Sequence, residues 1–329
     1  MTPAANPVAV VPLAAQGGRT NERTMLSKTN KKLITTGAAI LMCLVVSAAP
    51  ASAAPAGDHS SREAGTLIVG GRNATEAYEG MASLGFDRAG TGDFSHRCGA
   101  SLHDPWHLVT AAHCVTNPDG FLNPDRFRVR LGSHDHTSGG ILAGVRRILP
   151  HADWDWATGT DPVADIAVLR LDRAVWLTPF PIASRVNGQA PVRLLGWGST
   201  QPSGAGPLPD TLQELDTGRL PAVRCAAAGI TAGELCISSP RGISGACYGD
   251  SGGPALQRYA SRWWVAIGGA SRETSPTCGV GPTIYTDYTY YKDWIRRVIV
   301  TEQVPPRTTP ASRGDVTTDS TRALSVLAG

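Results

Sequence analysis

The chain has 329 residues, 42% of them hydrophobic and 17% charged, a composition typical of a folded globular protein rather than a disordered one. Its formal net charge is only +3, so a strongly basic surface for nucleic acid or membranes is not expected. The 37 glycines and 24 prolines favour many turns between short strands and exclude long helical bundles and coiled coils.

The first 53 residues have the features of an export signal. A basic stretch from Lys28 to Lys32 is followed by an apolar stretch over 33–46 and by Ala51-Ser52-Ala53, which fits the small-residue cleavage rule. A transmembrane anchor is the alternative, but the apolar run is shorter than the roughly 18 residues that this requires. Because Met25 stands just ahead of the basic stretch, we interpret 1–24 as an extension before the true start. The mature protein is predicted to be secreted and extracellular.

Short runs of strand-forming residues lie between turn residues in the middle of the chain, and they predict a sandwich or barrel. They are Phe127–Leu131, Ile166–Leu171, Val192–Gly196 and Trp263–Ile267. From Asp287 to Val300 the apolar residues recur at three and four positions, which predicts an amphipathic helix. Residues 301–329 are rich in Ser, Thr and Pro without apolar periodicity, so we expect a disordered tail there.

The cysteines indicate a disulfide framework. The chain has seven, and removal of Cys43 with the signal leaves an even set in an exported protein, for which disulfides are the usual role. The remaining cysteines are Cys98, Cys114, Cys225, Cys236, Cys247 and Cys278. A zinc site is the alternative, but it would need more closely spaced ligand pairs. These considerations leave the pairing open.

Three segments supply the groups of a nucleophilic hydrolase, which needs an activated hydroxyl, a base, an orienting carboxylate and backbone donors for an oxyanion. They are Gly249-Asp250-Ser251-Gly252-Gly253-Pro254, Thr110-Ala111-Ala112-His113-Cys114, and the strand opened by Asp165. Each alone has an ordinary explanation: a turn, a packed histidine, a cap. Together they indicate catalysis.

These segments, in the order His, Asp, Ser, resemble the trypsin- and chymotrypsin-like serine proteases of the secreted bacterial type. Ile68-Val69-Gly70-Gly71, Cys98-Gly99-Ala100-Ser101-Leu102 and Gly196-Trp197-Gly198 extend the resemblance. It spans residues 68 to about 299 and implies an all-β peptidase domain over 68–300. The implied fold is two six-stranded antiparallel β-barrels with a C-terminal helix and the site between them.

The resemblance also implies the catalytic roles. Ser251 would attack the peptide carbonyl, His113 would act as base and then acid, and Asp165 would orient His113. The N–H groups of Gly249 and Ser251 would form the oxyanion hole. This chemistry needs no cofactor. The family pairing of the cysteines would be Cys98–Cys114, Cys225–Cys236 and Cys247–Cys278.

No metal site is predicted. His134-Asp135-His136 has metal-ligating side chains, but it stands in a Gly- and Ser-rich stretch without a third spaced ligand, so we interpret it as a solvated loop. The family's calcium loop presents several acidic residues in this region, whereas only Asp135 is evident here.

Activation in the family frees an amino terminus that pairs with the aspartate beside the nucleophile, here Ile68 and Asp250. Residues 54–67 are therefore expected to be a propeptide and the protein a zymogen, because a buried carboxylate is costly without its cationic partner. Leu67 stands where trypsin-like activators need Arg or Lys. A secreted protease that cuts after Leu, or trimming after an upstream cut, is the expected route.

Specificity is expected from four positions. Gly245 stands at the pocket floor, where trypsins carry Asp, and Thr283 stands at a wall position where Gly is common. Together they favour small or medium apolar substrate residues. Ser271 is the expected contact to the substrate backbone. Glu273 replaces a wall glycine: pointing inward, it would narrow the pocket or attract a basic side chain, and pointing outward it would be a loop charge. Large apolar and basic preferences are the alternatives.

A non-catalytic binding module and an esterase are the alternatives to the endopeptidase. Non-catalytic relatives that serve as binding modules usually lose His, Asp or Ser, whereas all three stand here. An esterase shares the acyl-enzyme chemistry, but the nucleophile lacks the G-x-S-x-G elbow of the α/β-hydrolases. The expected partners are protein or peptide substrates and protease inhibitors, with no nucleic acid, no membrane after export, and a monomeric state.

Overall fold

The computed structural model describes residues 68–156, 164–260 and 262–303. The predicted signal peptide and propeptide, and the tail beyond 303, lie outside the described residues and stay predictions. Within the described part, none of the helices has the length and apolar character needed to cross a bilayer.

The described elements are short strands, four 3₁₀ turns and one helix. The strands are β1 Arg72–Asn73, β2 Met81–Phe86, β3 Ser95–Asp104, β4 His107–Thr110, β5 Thr116–Asn117, β6 Gly120–Phe121, β7 Phe127–Leu131, β8 Ile141–Pro150, β9 Ala167–Leu171, β10 Val192–Gly196, β11 Gln213–Thr217, β12 Arg219–Leu220, β13 Glu234–Ile237, β14 Pro254–Tyr259, β15 Trp263–Glu273 and β16 Thr283–Asp287. The 3₁₀ turns are Ala112–Cys114, Pro124–Arg126, Ala222–Ala228 and Pro240–Gly242, and the helix is α1 Lys292–Gln303.

Six strands close into the first barrel, in the order β2-β3-β4-β9-β8-β7. Its alternation is clearest in β7, where Phe127, Val129 and Leu131 are buried while Arg128 is exposed. Successive side chains of a strand point to opposite faces, so this pattern places one face in a core. That core collects apolar residues from all six strands.

The second sheet contains eight antiparallel strands in the order β1-β11-β10-β14-β15-β16-β13-β12. The all-β, chymotrypsin-like class is confirmed. In detail, the second sheet has edges at β1 and β12 rather than the closed ring of the first, because these two-residue strands pair on one side only. Its own core contains Ile68, Leu194, Ile267 and Tyr285.

The two sheets share a third apolar cluster. Met81 and Val109 of the first barrel pack there with Leu195 and Leu256 of the second sheet, and α1 adds Ile295. A backbone hydrogen bond of 2.8 Å from Gly99 N to Ser251 O also crosses the seam. This seam fixes the segment around Gly99 against the segment around Ser251.

The predicted elements agree closely with the observed ones. The strands predicted at 127–131 and 192–196 coincide with β7 and β10, β9 begins one residue later than predicted, and β15 continues to Glu273. The helix prediction was displaced: α1 runs from Lys292 to Gln303. Asp287 ends β16 instead, and its carboxylate accepts hydrogen bonds from Thr289 N at 2.8 Å and Thr289 Oγ1 at 2.7 Å, which form a turn before the helix.

Candidate active site

His113 lies in the 3₁₀ turn Ala112–Cys114, directly after β4. The turn is fixed on both sides: Cys114 forms a disulfide with Cys98 of β3, and its carbonyl accepts a hydrogen bond of 2.7 Å from Arg97 Nε. Its neighbours Ala112 and Cys114 are buried in the first core. The position of the imidazole therefore follows from the packing of β3 and β4.

Both carboxylate oxygens of Asp165 accept hydrogen bonds from His113. His113 Nδ1 lies 2.8 Å from Asp165 Oδ2, and the His113 backbone N–H donates to Oδ1 at 3.0 Å. Because a carboxylate only accepts, Nδ1 carries the proton and Nε2 is left as the basic nitrogen. The pair thus has the tautomer that a general base needs.

The second sheet also holds Asp165. Ser271 Oγ donates to Oδ2 at 2.6 Å, and Thr286 Oγ1 donates to the Asp165 carbonyl at 2.8 Å. Burial by itself would raise the pKa of Asp165, but the charge and hydrogen bonds of His113 and the bond from Ser271 outweigh it and lower the pKa below its usual value. The carboxyl is therefore ionised at neutral pH.

Ser251 stands in a tight turn between Asp250 and β14. Gly252 N donates to Ala270 O at 2.7 Å, and Gly253 N donates to Asp250 O at 2.8 Å. Among the described residues, the N–H groups of Gly249 and Ser251 donate to no acceptor. Gly249 has a φ of +99°, which a residue with a side chain rarely adopts. Two free donors beside a hydroxyl are what an oxyanion hole requires.

The buried carboxylate of Asp250 fixes the backbone on either side of this turn. Asp250 Oδ1 accepts from Gly198 N at 2.8 Å, and Oδ2 accepts from Cys247 N at 2.9 Å. A Cβ at Gly196 would lie 1.9 Å from Asp250 Oδ1, and one at Gly198 would lie 2.4 Å from its Cγ. The Gly196-Trp197-Gly198 sequence therefore has its glycines where this carboxylate needs space.

One cleft of about 350 Å³ brings the reactive groups together. His113, Ser251, Ser271, Glu273 and Thr283 all line it. Among the described residues, neither His113 Nε2 nor Ser251 Oγ has a hydrogen bond, including one to each other, so both atoms are open to the cleft that they line. Gly245 lies just beyond the lining: a Cβ there would be 3.5 Å from Thr283 Oγ1.

Glu273 points into this cleft. Thr283 Oγ1 lies 3.1 Å from its Oε2 and 3.3 Å from its Oε1, so the contact joins directly paired residues of the neighbouring strands β15 and β16. Burial raises the pKa of Glu273 to about 8, and the charge of Asp250 adds to the rise. Of the two orientations considered for this residue, the structure has the inward one.

Ile68 and Asp250 are both buried, at 1% and 2% exposure. Between these two described residues there is no hydrogen bond or ion pair. Burial raises the pKa of Asp250 to about 7, although the N–H groups of Cys247 and Gly198 oppose the rise. Among the described residues, the Asp250 carboxyl therefore has no cationic partner while Ile68 is joined to Leu67.

The three disulfides are Cys98–Cys114, Cys225–Cys236 and Cys247–Cys278, the pairing that the resemblance implies. The third joins the segment before Ser251 to the segment before β16. Among the described residues, one group has metal-ligand proximity, Cys98, His113 and Cys114. Its cysteine sulfurs are bonded to each other, so the group does not fit a metal site.

Sequence reasoning missed His96. Its Nε2 donates to the Gly249 carbonyl at 3.0 Å, and its Nδ1 lies 2.7 Å from Ser83 Oγ. Burial lowers the pKa of His96 to about 4, although the hydrogen bond to the Gly249 carbonyl acts in the opposite direction. The ring is therefore neutral, and it supports the backbone at Gly249. Its position two residues before Cys98 was the available signal.

The loop prediction for His134-Asp135-His136 needs a correction. Asp135 bonds Thr137 and Ser138 within the loop, but the His136 ring packs 5.2 Å from His96 and 6.3 Å from Trp197 between ring centroids. Aromatic packing, which the residue pattern does not reveal, holds part of this loop against the protein.

A closed antiparallel barrel, a second antiparallel sheet and a cleft lined by Ser251 and by His113, which the buried Asp165 orients, define a serine-type endopeptidase of chymotrypsin-like fold. A family model described as Trypsin matches residues 68–295. The chain belongs to the trypsin family. It is 30% identical over 214 residues to a vitellin-degrading protease of Bombyx mori, an alignment covering 61% of this chain and 75% of that protein.

Proposed function

We propose that this protein is a secreted serine endopeptidase, made as a zymogen, that hydrolyses peptide bonds through Ser251, His113 and Asp165. The observation that carries the proposal is the hydrogen bond of 2.8 Å between His113 Nδ1 and the buried Asp165 carboxylate, with His113 lining the same cleft as Ser251.

The chemistry follows from these contacts. Ser251 Oγ attacks the peptide carbonyl carbon while His113 Nε2 takes its proton, and the N–H groups of Gly249 and Ser251 stabilise the oxyanion. His113 then protonates the leaving amine, which departs and leaves an acyl-enzyme. Water, deprotonated by His113, attacks the acyl carbon, and the proton returns to Ser251 as the acid leaves.

Activation is proposed to free the Ile68 amino group as the partner of Asp250. Two features support this. Asp250 is buried and pairs with no cation in the part of the chain that the structure describes, and Val69, next to Ile68, is already fixed by a hydrogen bond of 3.0 Å from Gly245 N to its carbonyl. A buried carboxylate gains stability from an ammonium partner. Cleavage after Leu67 would supply one within the same segment.

The pocket is proposed to accept small or medium apolar side chains before the scissile bond. Gly245 leaves its floor uncharged, and Glu273 and Thr283, which are hydrogen-bonded to each other on neighbouring strands, occupy part of the pocket and limit the depth open to a neutral side chain. The expected partners are protein or peptide substrates and protease inhibitors, and the expected state is a secreted monomer. The name of the Bombyx mori relative states that it degrades vitellin, which supports a protein substrate here.

The test is digestion of a mixed peptide library by the secreted protein, with Ser251→Ala as the matched control and the mature amino terminus read by mass spectrometry. Cuts that vanish in the variant, made by protein that begins at Ile68, are expected. No cuts by protein that begins at Ile68 would refute the protease, and full activity in protein uncut before Ile68 would refute the activation proposal.

A further inference from the structure

Glu273 is an acid in the substrate cleft without a positive partner. In the described part of the chain, no Lys, Arg or His forms an ion pair with it, and its hydrogen bonds come from the neutral Thr283 hydroxyl. A carboxylate in a poorly hydrated site is costly unless a cation or strong donors accompany it.

The neighbouring cation is committed elsewhere. Arg272 also lines the cleft, but its guanidinium forms an ion pair with the buried Glu234 and hydrogen-bonds the carbonyl of Gly229 at 3.2 Å. Arg272 therefore does not neutralise Glu273.

The pocket has acceptors at a suitable place for such a cation. The Glu273 carboxylate and Thr283 Oγ1 meet 3.1 Å apart, and Gly245 beside them has no side chain to fill the floor. A guanidinium or ammonium that reaches this point gains a charge-assisted hydrogen bond, and a guanidinium can make two. A short neutral side chain would end above this contact.

We propose that Glu273 is a specificity-determining residue that gives the pocket a second substrate class, Arg or Lys before the scissile bond. The cation is bound by an acid on the pocket wall, with glycine at the floor. This inference rests on the proposed protease function. Small neutral residues and long basic residues are then both substrates, and residues of similar length without a charge are poor ones.

The test compares two peptides that differ only in having Arg or citrulline before the scissile bond, because citrulline keeps the length of arginine and removes its charge. We expect kcat/KM to be roughly 10- to 100-fold higher for the Arg peptide, the range of a charged hydrogen bond. Glu273→Gln should bring this ratio close to one, and Glu273→Asp should retain part of it.

The matched control is Glu79→Gln, which removes an equal charge from an exposed residue that bonds Thr178 N and does not line this cleft. Its Arg-to-citrulline ratio should equal that of the unchanged protein. A binding readout uses the Ser251→Ala variant: benzamidine, an aromatic cation, should raise its melting temperature, and adding Glu273→Gln should abolish the rise.

The outcomes separate the two proposals. Labelling of Ser251 by a fluorophosphonate together with an Arg-to-citrulline ratio near one would overturn the Glu273 inference and leave the protease intact. A high ratio that persists in Glu273→Gln would also overturn it. Absence of both labelling and cleavage, in protein processed to Ile68, would overturn the protease function, and the inference with it.

Discussion

Asp165 is restrained more completely than any other member of the site. Its side chain accepts from the His113 backbone, the His113 ring and Ser271, and its carbonyl accepts from Thr286. A carboxylate with this many donors is a fixed reference for the imidazole. Its loss should affect the base and leave the nucleophile in place.

We predict that Asp165→Asn lowers kcat/KM by about 10⁴-fold, because an amide can donate to Nδ1 and favours the wrong tautomer of His113. Ser271→Ala removes one of the three hydrogen bonds that the Asp165 carboxylate accepts. It should lower kcat/KM far less, by about tenfold. Steady-state kinetics on one peptide substrate, normalised to folded protein, measures both. Equal losses in the two variants would mean that Asp165 does not set the tautomer.

Glycine is required at Gly196 by the Asp250 carboxylate. We predict that Gly196→Ala destabilises the fold by about 3 kcal/mol or more, because the added methyl overlaps Asp250 Oδ1. Gly218→Ala is the matched control, since a Cβ there meets nothing within 4 Å. Urea unfolding in the Ser251→Ala background, which prevents self-digestion, gives both values. A similar small change in both variants would contradict this account.

Residue-level prediction selected residues that the structure brings together where chemistry marks the position, and it missed residues that packing alone places. The Ser, His and Asp segments carry unusual local sequences, so their residues could be selected before any coordinates. His96 has no such neighbourhood, and its bond to the Gly249 carbonyl crosses 153 positions of the chain. The orientation of Glu273 likewise depended on Thr283, a contact between two strands.

At the scale of elements, two of the disulfides differ in whether they fix an element that carries a residue of the candidate active site. Cys98–Cys114 joins β3 to the 3₁₀ turn that carries His113. Cys225–Cys236 joins another 3₁₀ turn to β13 and packs with Ile284 in a separate cluster. The sequence separations are similar, 16 and 11.

Because loop entropy varies slowly with length, removing either bridge should cost about 3 kcal/mol of stability. We predict that the double variant Cys98→Ala/Cys114→Ala also loses kcat per folded molecule, whereas Cys225→Ala/Cys236→Ala does not. Unfolding free energies measure the loss of stability, and kcat normalised to the number of fluorophosphonate-labelled sites distinguishes the two double variants. An unchanged kcat in the first variant would show that the barrel alone positions His113.

The strands were predictable because alternation and turn residues bound them, as in β7 and β10. The helix boundary was not, because the apolar period begins at Tyr290 and Tyr291, which lie in the turn before α1 starts at Lys292. The capped turn at Asp287 occupies those residues. Closure of the first barrel and the open edges of the second sheet depend on long-range pairing, which local pattern does not specify.

At the scale of the whole molecule, activation should change the pH dependence of stability. The pKa of Asp250 is about 7 in the uncut fold, above its value of about 3.9 in an unfolded chain. The folded state then binds the proton more tightly, so the free energy of unfolding falls as the pH rises through that interval. The full effect is about 4 kcal/mol.

We predict this fall between pH 4 and pH 7.5 for uncut Ser251→Ala protein, and a smaller fall after processing to Ile68, whose ammonium would stabilise the ionised carboxyl. Glu273, whose pKa is also raised and depends in part on the charge of Asp250, is replaced by Gln in both forms so that it does not contribute to the difference. Urea unfolding at several pH values measures the difference. Parallel curves for the two forms would contradict the Ile68–Asp250 pair.

Asp165 belongs to the first barrel through the chain and to the second sheet through Ser271 and Thr286. The reacting groups are thereby shared between two halves, each of which has a core of its own besides the apolar cluster that they share. A hydrogen bond from Gly99 N to Ser251 O also joins the two halves. A shift of about 1 Å at the seam would leave both cores packed, yet it would cost on the order of 10²-fold in rate. Catalysis in this protein is therefore a more sensitive gauge of how its halves are docked than any measure of whether each is folded.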